Sequence, residues 1–202
     1  MRILAIAGSL RADSHNRRLL DAAAALIAAR GVEVEILDPD ALRSLPHFDQ
    51  DLEADSPVEV ERLRAKIAEA DGLLIATPEY NGSIPSVIKN AVDWASRPRT
   101  DAVLKNKPVA VVGASTMMFG AVWAQAELRK VLGAAGARVV DAELALGTAA
   151  DAFHPEPEAE RHLVSDDHHD TLAAVATALI DAIEQRPDRD QAESELTGAP
   201  AA

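Results

Sequence analysis

The stretch Gly8–Asn16 (GSLRADSHN) carries more anion-binding groups than a strand-to-helix turn needs. It follows a short apolar run and precedes a helical pattern that starts RRLLDAAAALIAAR. Within it, Ser9 and Ser14 supply hydroxyls, Arg11 a guanidinium and Asn16 an amide. A helix start adds unpaired backbone N–H groups and the positive end of the helix dipole. These side chains predict a phosphate site, because a simple N-cap accounts for only one of them.

Two further segments are rich in groups that hydrogen-bond or stack. Thr77–Pro85 (TPEYNGSIP) contains Tyr80, the only tyrosine, in a turn between two prolines. A tyrosine in such a turn can flank a flat ring while the peptide groups of the turn address the polar edge of that ring. An ordinary Asn-Gly turn with an exposed Tyr80 is the alternative interpretation. Gly113–Gly120 (GASTMMFG) is the third segment of this kind.

Each of the three segments follows a short apolar run, and such runs alternate with helical patterns along the chain. The strand-like runs are Arg2–Ala7, Glu33–Leu37, Leu73–Ala76, Pro108–Gly113 and Arg138–Val140. Alternation of five strands with five helices predicts an α/β flavodoxin-like three-layer sandwich around a five-stranded parallel sheet of order 2-1-3-4-5. The three segments then meet at the carboxyl ends of strands one, three and four, where open sheets bind ligands.

Composition limits the class of function. The 202 residues, 48% of them hydrophobic, suit one domain, which we assign to residues 1–185, with a disordered tail over 186–202. A net charge of −13 argues against nucleic acid and acidic membranes as partners. The chain has no cysteine for thiolate catalysis or metal binding, and no apolar run of the roughly 20 residues that a membrane span needs. We therefore expect a cytoplasmic protein, with long loops at Asp38–Pro57 and Thr148–Asp167.

The first segment and the motif PEYNGSIPSVIKNAVDWASRP, which starts at Pro78, together resemble the NADPH-dependent FMN reductase family of flavodoxin-like proteins. The similarity extends from Met1 to about Val140. It implies noncovalently bound FMN, NADPH or NADH as reductant, and a homodimer or homotetramer. It also implies reduction of a small-molecule acceptor, namely a quinone, chromate, an azo compound or free flavin, by two-electron ping-pong hydride transfer. Such a cycle requires no protein acid, base or nucleophile, so no catalytic residue is assigned.

The same resemblance implies three groups of cofactor-binding residues, for the phosphate, the isoalloxazine ring and the ribityl chain or far ring edge of FMN. In that order they are Ser9, Arg11, Ser14 and Asn16; Pro78, Glu79, Tyr80 and Asn81; and Ser115, Thr116 and Met117. The chain departs from the family at His15, where Phe is common, and at Met117, where glycine is common. A side chain at position 117 is expected to crowd the flavin and weaken its binding.

A second class of function fits the same fold. A flavodoxin-type electron carrier binds FMN but exchanges single electrons with protein partners, and its phosphate loop is rich in Thr and Ser. Arg11 and the PEYN sequence favour the reductase. No metal site is assigned, because the histidine-rich segment around His168 is better explained as a solvated helix start whose aspartates complement the dipole.

Overall fold

A parallel sheet forms the centre of the fold. The computed structural model describes residues 1–155 and 162–185. Its strands are β1 (Arg2–Ala7), β2 (Glu33–Ile36), β3 (Gly72–Thr77), β4 (Pro108–Ala114), β5 (Arg138–Val139) and β6 (Ala145–Leu146). They pair in the order β2-β1-β3-β4-β5, with β6 also beside β4. The predicted strand order is confirmed.

Helices cover both faces of the sheet because the central strands are apolar on both faces. The helices are α1 (His15–Ala28), α2 (Pro39–Arg43), α3 (Val58–Glu69), α4 (Ser86–Ala95), α5 (Val122–Ala134) and α6 (Asp166–Glu184). Alternate strand residues such as Ile3 and Leu74 pack against α1 and α6. Their neighbours Leu4 and Leu73 pack against α3, α4 and α5 on the opposite face. The helices therefore cover the faces of the sheet, while loops form its carboxyl edge.

The structure differs from the sequence prediction in two places. The fifth strand position is divided, since β5 pairs with the first two residues of β4 and β6 with the last two. Between them, Arg129 of α5 donates to the carbonyl of Ala142 at 3.3 Å and to the carboxylate of Asp141 at 3.2 Å. A strand of two residues leaves no alternating pattern to detect. The connection predicted as a loop at 38–57 contains α2, whose start is capped by the Asp38 side chain.

The KNAVDW part of the family motif has a structural role in α4. Asn90 Oδ1 accepts from the Phe48 N–H at 2.8 Å, and Asn90 Nδ2 donates to the Pro46 carbonyl at 2.9 Å. The indole of the fully buried Trp94 donates to the same carbonyl at 2.9 Å. These two side chains fasten the connection between α2 and α3 to α4.

The predicted helix start near His168 is present. Ser165 caps α6 by accepting from the His168 N–H, and Asp166 and Asp167 lie in the first turn. Among the described residues, no helix has both the length and the apolarity to cross a membrane. The predicted tail at 186–202 lies outside the described residues, so the assignment of one domain to residues 1–185 stays a prediction.

Candidate functional site

The loop between β1 and α1 leaves its strongest donors unused. Ser14 is the N-cap of α1, and its Oγ accepts from the Arg17 N–H at 3.3 Å. Ser9 Oγ accepts from the Arg11 N–H at 3.4 Å. Both serines are buried, yet each keeps a hydroxyl hydrogen to donate. The Arg11 guanidinium is exposed and forms no hydrogen bond or ion pair with the part of the chain that the structure describes.

Backbone donors add to this set. The N–H groups of His15 and Asn16, in the first turn of α1, have no hydrogen-bond partner among residues 1–155 and 162–185. The positive end of the helix dipole lies at the same point. An anion here would receive several neutral hydrogen bonds and one charge-assisted bond from Arg11.

The first loop is fastened to the neighbouring strand ends. Gly8 leaves no room for a side chain, because a Cβ there would lie 2.8 Å from Ile88 Cγ1 and 3.1 Å from Pro78 Cδ. The buried Asn16 amide bonds both backbone groups of Ala114, donating at 2.8 Å and accepting at 2.9 Å. The Asn16 side chain, predicted to bind phosphate, therefore joins α1 to the end of β4, and its backbone N–H is the group left for an anion.

The loop after β3 forms a tight turn that exposes Tyr80. Tyr80 and Ser83 exchange two backbone hydrogen bonds, of 3.0 and 3.2 Å. Asn81 and Gly82 between them have φ values of 55° and 74°, as a type I′ turn requires. The Asn-Gly turn considered from the sequence is thus present, and Tyr80 is 49% exposed.

Two side chains fasten this turn to α5. Glu79 Oε2 accepts from the N–H groups of Trp123 and Ala124, each at 3.1 Å. Ser83 Oγ donates to Glu127 Oε2 at 2.7 Å. The carboxylate of Glu79, predicted to line the flavin ring, is therefore bound to a helix start. The sequence carried no signal for this contact, because the partners lie 44 and 45 residues away.

The loop after β4 is held by its backbone and exposes its side chains. Ser115 Oγ accepts from the Met117 N–H at 3.1 Å, and the Met117 carbonyl accepts from the Thr148 N–H at 3.2 Å. The Met117 side chain is 72% exposed, so it extends largely into solvent. Its neighbours are exposed as well: Thr116, Met118, Phe119 and Trp123.

Gln125 supports the loop after β4, a role that the sequence did not reveal. It is buried in α5, and its Nε2 donates to the Gly120 carbonyl at 3.1 Å. A Cβ on Gly113 would lie 2.9 Å from the same nitrogen, so the end of β4 must approach Gln125 as glycine. A glutamine one residue after Ala124, on the apolar side of α5, was the available signal.

A cavity of about 580 Å³ lies beside the start of α1. His15 lines it, and its ring stacks on Phe153 with 6.2 Å between centroids, while the Arg18 guanidinium lies 4.5 Å from the same ring. His15 Nδ1 is buried and has no hydrogen-bond partner in the described residues. Burial, together with the charges of Arg11 and Arg18, lowers the pKa of His15. The folded protein therefore favours the neutral imidazole.

A parallel 2-1-3-4-5 sheet with an anion-binding loop after its first strand is typical of flavodoxin-like flavoproteins, and the structure places the chain in that class. Within the class, the chain belongs to the NADPH-dependent FMN reductase family, whose sequence model matches residues 1–151. The family assigned from the sequence is confirmed. The protein is an oxidoreductase whose cofactors are FMN and NAD(P)H.

Characterised relatives agree with this assignment. The chain is 44% identical over 131 residues to a 2-hydroxy-1,4-benzoquinone reductase from Burkholderia sp, an alignment that covers 65% of this chain and 69% of the relative. It is 43% identical over 133 residues to an NAD(P)H-dependent FMN reductase from Pseudomonas aeruginosa, with the same coverage of both chains. A solved flavoenzyme, the NAD(P)H:(acceptor) oxidoreductase of Paracoccus denitrificans, superposes with a TM-score of 0.80 at 35% identity, covering 92% of this chain and 98% of that one.

The residues present fit FMN. The donor set at the start of α1 consists of hydroxyls, backbone N–H groups and one guanidinium, which is the chemistry that a phosphate monoester requires. No carboxylate of the described residues forms an ion pair with Arg11, so the guanidinium is available to a dianion. The turn after β3, the strand paired with β1, adds the exposed aromatic ring of Tyr80.

Proposed function

We propose that this protein is an NAD(P)H-dependent, FMN-containing reductase that transfers two electrons to quinones. One observation carries the proposal: the start of α1 keeps its anion donors free at the end of β1, and the turn after the neighbouring strand β3 exposes Tyr80. The benzoquinone reductase among its relatives supports a quinone as acceptor. Chromate, azo compounds and free flavin are further acceptors, because Tyr80 and Met117 at the ring end of the site are exposed and restrict the acceptor little.

The phosphate end of the site consists of four residues. Ser9 and Ser14 donate their hydroxyl hydrogens, and Arg11 supplies the charge-assisted bond. Asn16 acts through its backbone N–H, because its amide is engaged with Ala114. These groups hold the phosphate by neutral donors and one cation.

The ring end of the site consists of the two later loops. Pro78, Tyr80 and Asn81 would line the isoalloxazine ring, and peptide groups of the turn would hydrogen-bond its polar edge. Glu79 holds this turn in place through its hydrogen bonds to the start of α5. The third group meets the ribityl chain or the far ring edge and comprises Ser115, Thr116 and Met117.

FMN, when bound, supplies the redox chemistry, exchanging two electrons with the reductant and the acceptor. The chain's own residues would bind the phosphate and orient the ring, which nicotinamide and acceptor would reach in turn. No side chain of the site is assigned a proton-transfer role. Placement by Tyr80 and Asn81 at the mouth is the contribution expected of the protein.

We further propose a homodimer or homotetramer. A cluster of exposed apolar side chains supports self-association, since large exposed apolar patches mark interfaces. The cluster comprises Met117, Met118, Phe119 and Trp123. Phe119 and Trp123 already contact each other edge-to-face, with 5.1 Å between centroids. Light scattering coupled to size exclusion tests the state. The cytoplasmic location stays a prediction.

Anaerobic mixing of the FMN-loaded protein with NADPH tests the proposed function. Rapid bleaching of the flavin absorbance, followed by its recovery when a benzoquinone is added, is the expected result. Flavin that is bound but not reduced by NADPH would instead indicate a flavodoxin-type carrier. No specific feature of the described site favours that alternative.

A further inference from the structure

The N-cap residue of helix α5 has no side chain that can cap the helix. The residue before it is Ala121, which has a left-handed φ of 63° and no side-chain acceptor. The Val122 N–H is satisfied by the Phe119 carbonyl at 3.1 Å, and the Gln125 N–H by the Ala121 carbonyl at 3.0 Å. Two donors of the first turn, on residues 123 and 124, therefore need a partner from elsewhere.

Glu79 supplies that partner from the loop after β3. One oxygen, Oε2, accepts from both Trp123 and Ala124 at 3.1 Å. Both hydrogen bonds are charge-assisted, and the negative carboxylate interacts favourably with the positive end of the α5 dipole. With this contact, every backbone N–H of the first turn of α5 has a partner. Hence the start of α5 depends on a residue of another loop.

The contact joins the loop after β3 to the helix that follows the loop after β4, at the carboxyl ends of two paired strands. Glu79 directly precedes the Tyr80–Ser83 turn, and α5 directly follows the loop that carries Met117. A displacement of either loop would break both hydrogen bonds at once. The neighbouring bond from Ser83 to Glu127 is a second tether between the turn and α5.

We propose that Glu79 is a positioning residue that clamps the loop after β3 to the start of α5, so that both flanks of the flavin pocket are set before the cofactor arrives. The clamp itself exists in the protein without FMN. Its consequence for flavin affinity rests on the function proposed above.

Amide hydrogen exchange of the FMN-free protein tests the clamp directly. In the wild type, the Trp123 and Ala124 amides should be protected, although helix-start amides are normally open to exchange. In Glu79→Ala both should lose protection by at least about tenfold, whereas Glu79→Gln, which keeps an acceptor oxygen, should retain most of it. Unchanged exchange in Glu79→Ala would overturn the proposal.

Ser83→Ala is the matched control. It removes the second tether but leaves the Glu79 carboxylate in place, so the two α5 amides should stay protected. Exposure of these amides in Ser83→Ala would mean that the tether, not Glu79, holds the helix start, and would contradict the proposal. If Glu79→Ala does not fold, Glu79→Asp takes its place: its carboxylate is one methylene too short to reach both amides, which should lose protection, and unchanged exchange would overturn the proposal.

Flavin titration then measures the consequence for the pocket. The dissociation constant of FMN should rise about tenfold in Glu79→Ala and about threefold or less in Glu79→Gln, since only the first leaves two donors unpaired. Equal affinities in the wild type and Glu79→Ala, with exchange altered as expected, would overturn the role in the pocket. A protein that binds no FMN at all would instead contradict the proposed function, while the exchange experiment would still report on the clamp.

Discussion

The starts of α1 and α5 both lie at the carboxyl edge of the sheet, but their backbone N–H groups are satisfied in different ways. The start of α5 is closed by a carboxylate of the chain itself, from Glu79. The start of α1 has only its own Ser14 cap, and the N–H groups of His15 and Asn16 have no partner among the described residues. The same dipole and the same orphan donors are thus satisfied internally in one helix and left for a ligand in the other.

The difference shows how to distinguish a site from a structural helix start. Both ends attract an anion, so helix polarity alone does not mark a binding site. What marks α1 is the unpaired Arg11 beside the free donors, in a chain with a net charge of −13. An acidic protein that leaves a guanidinium unpaired next to a helix start favours an external anion there.

Arg11→Ala removes the side chain that distinguishes the start of α1 from that of α5, and it should have the largest effect on FMN binding. Loss of one charge-assisted bond is expected to weaken FMN binding by about 10- to 100-fold, or about 1.5–3 kcal/mol. Folding stability should not change, because the side chain is exposed. Fluorescence titration of FMN measures the effect. Arg30→Ala, an exposed arginine after the other end of α1, is the control and should bind FMN as the wild type does.

Lys107→Met tests the same electrostatic rule at a helix end closed by a cation. The fully buried Lys107 ammonium donates to the carbonyls of Ala68 and Ala70, at the end of α3. Its removal takes a hydrogen-bond donor away from both carbonyls and should lower the free energy of unfolding by about 1.5–3 kcal/mol. Urea unfolding measures the loss. The exposed neighbour Lys105→Met should stay within about 0.5 kcal/mol of the wild type, and an equal loss there would contradict the interpretation.

Ser14→Ala should affect both stability and the ligand. Loss of the cap is expected to cost about 1 kcal/mol of folding stability, and loss of the hydroxyl donor should weaken FMN binding by about three- to tenfold. Ser165→Ala is the matched control, because Ser165 caps α6 by the same 3.3 Å bond to the residue three positions later. It should lose similar stability but keep FMN affinity. Reduced FMN affinity in both variants would show that Ser14 acts only through the fold.

The sequence predicted the fold and the open helix start because both depend on local patterns. Apolar strands and the cluster of hydroxyls and Arg11 can be recognised within a few residues. The closed helix start could not be predicted, because Glu79 and α5 are joined only by the packing of distant segments. Asn16 shows the same limit: its type and position suit a phosphate ligand, yet its amide bonds the backbone of Ala114, 98 residues away. Residue type predicts which groups can bind an anion, and tertiary structure decides which remain free.

His15→Phe should have the smallest effect, and it acts through pH. The pKa of His15 is lowered by burial and by Arg11 and Arg18, so the folded protein favours the neutral imidazole. The unfolded chain takes up a proton near the ordinary pKa of about 6.5, so His15 reduces folding stability as the pH falls below that value. Replacement by Phe, which keeps the contact with Phe153, removes this proton uptake. Urea unfolding of the FMN-free proteins at pH 7.5 and 5.5, values about one unit either side of that pKa, should show a smaller loss of stability on acidification in the variant than in the wild type. An equal loss in both would mean that the imidazole at the open helix start is as easily protonated in the folded protein as in the unfolded chain.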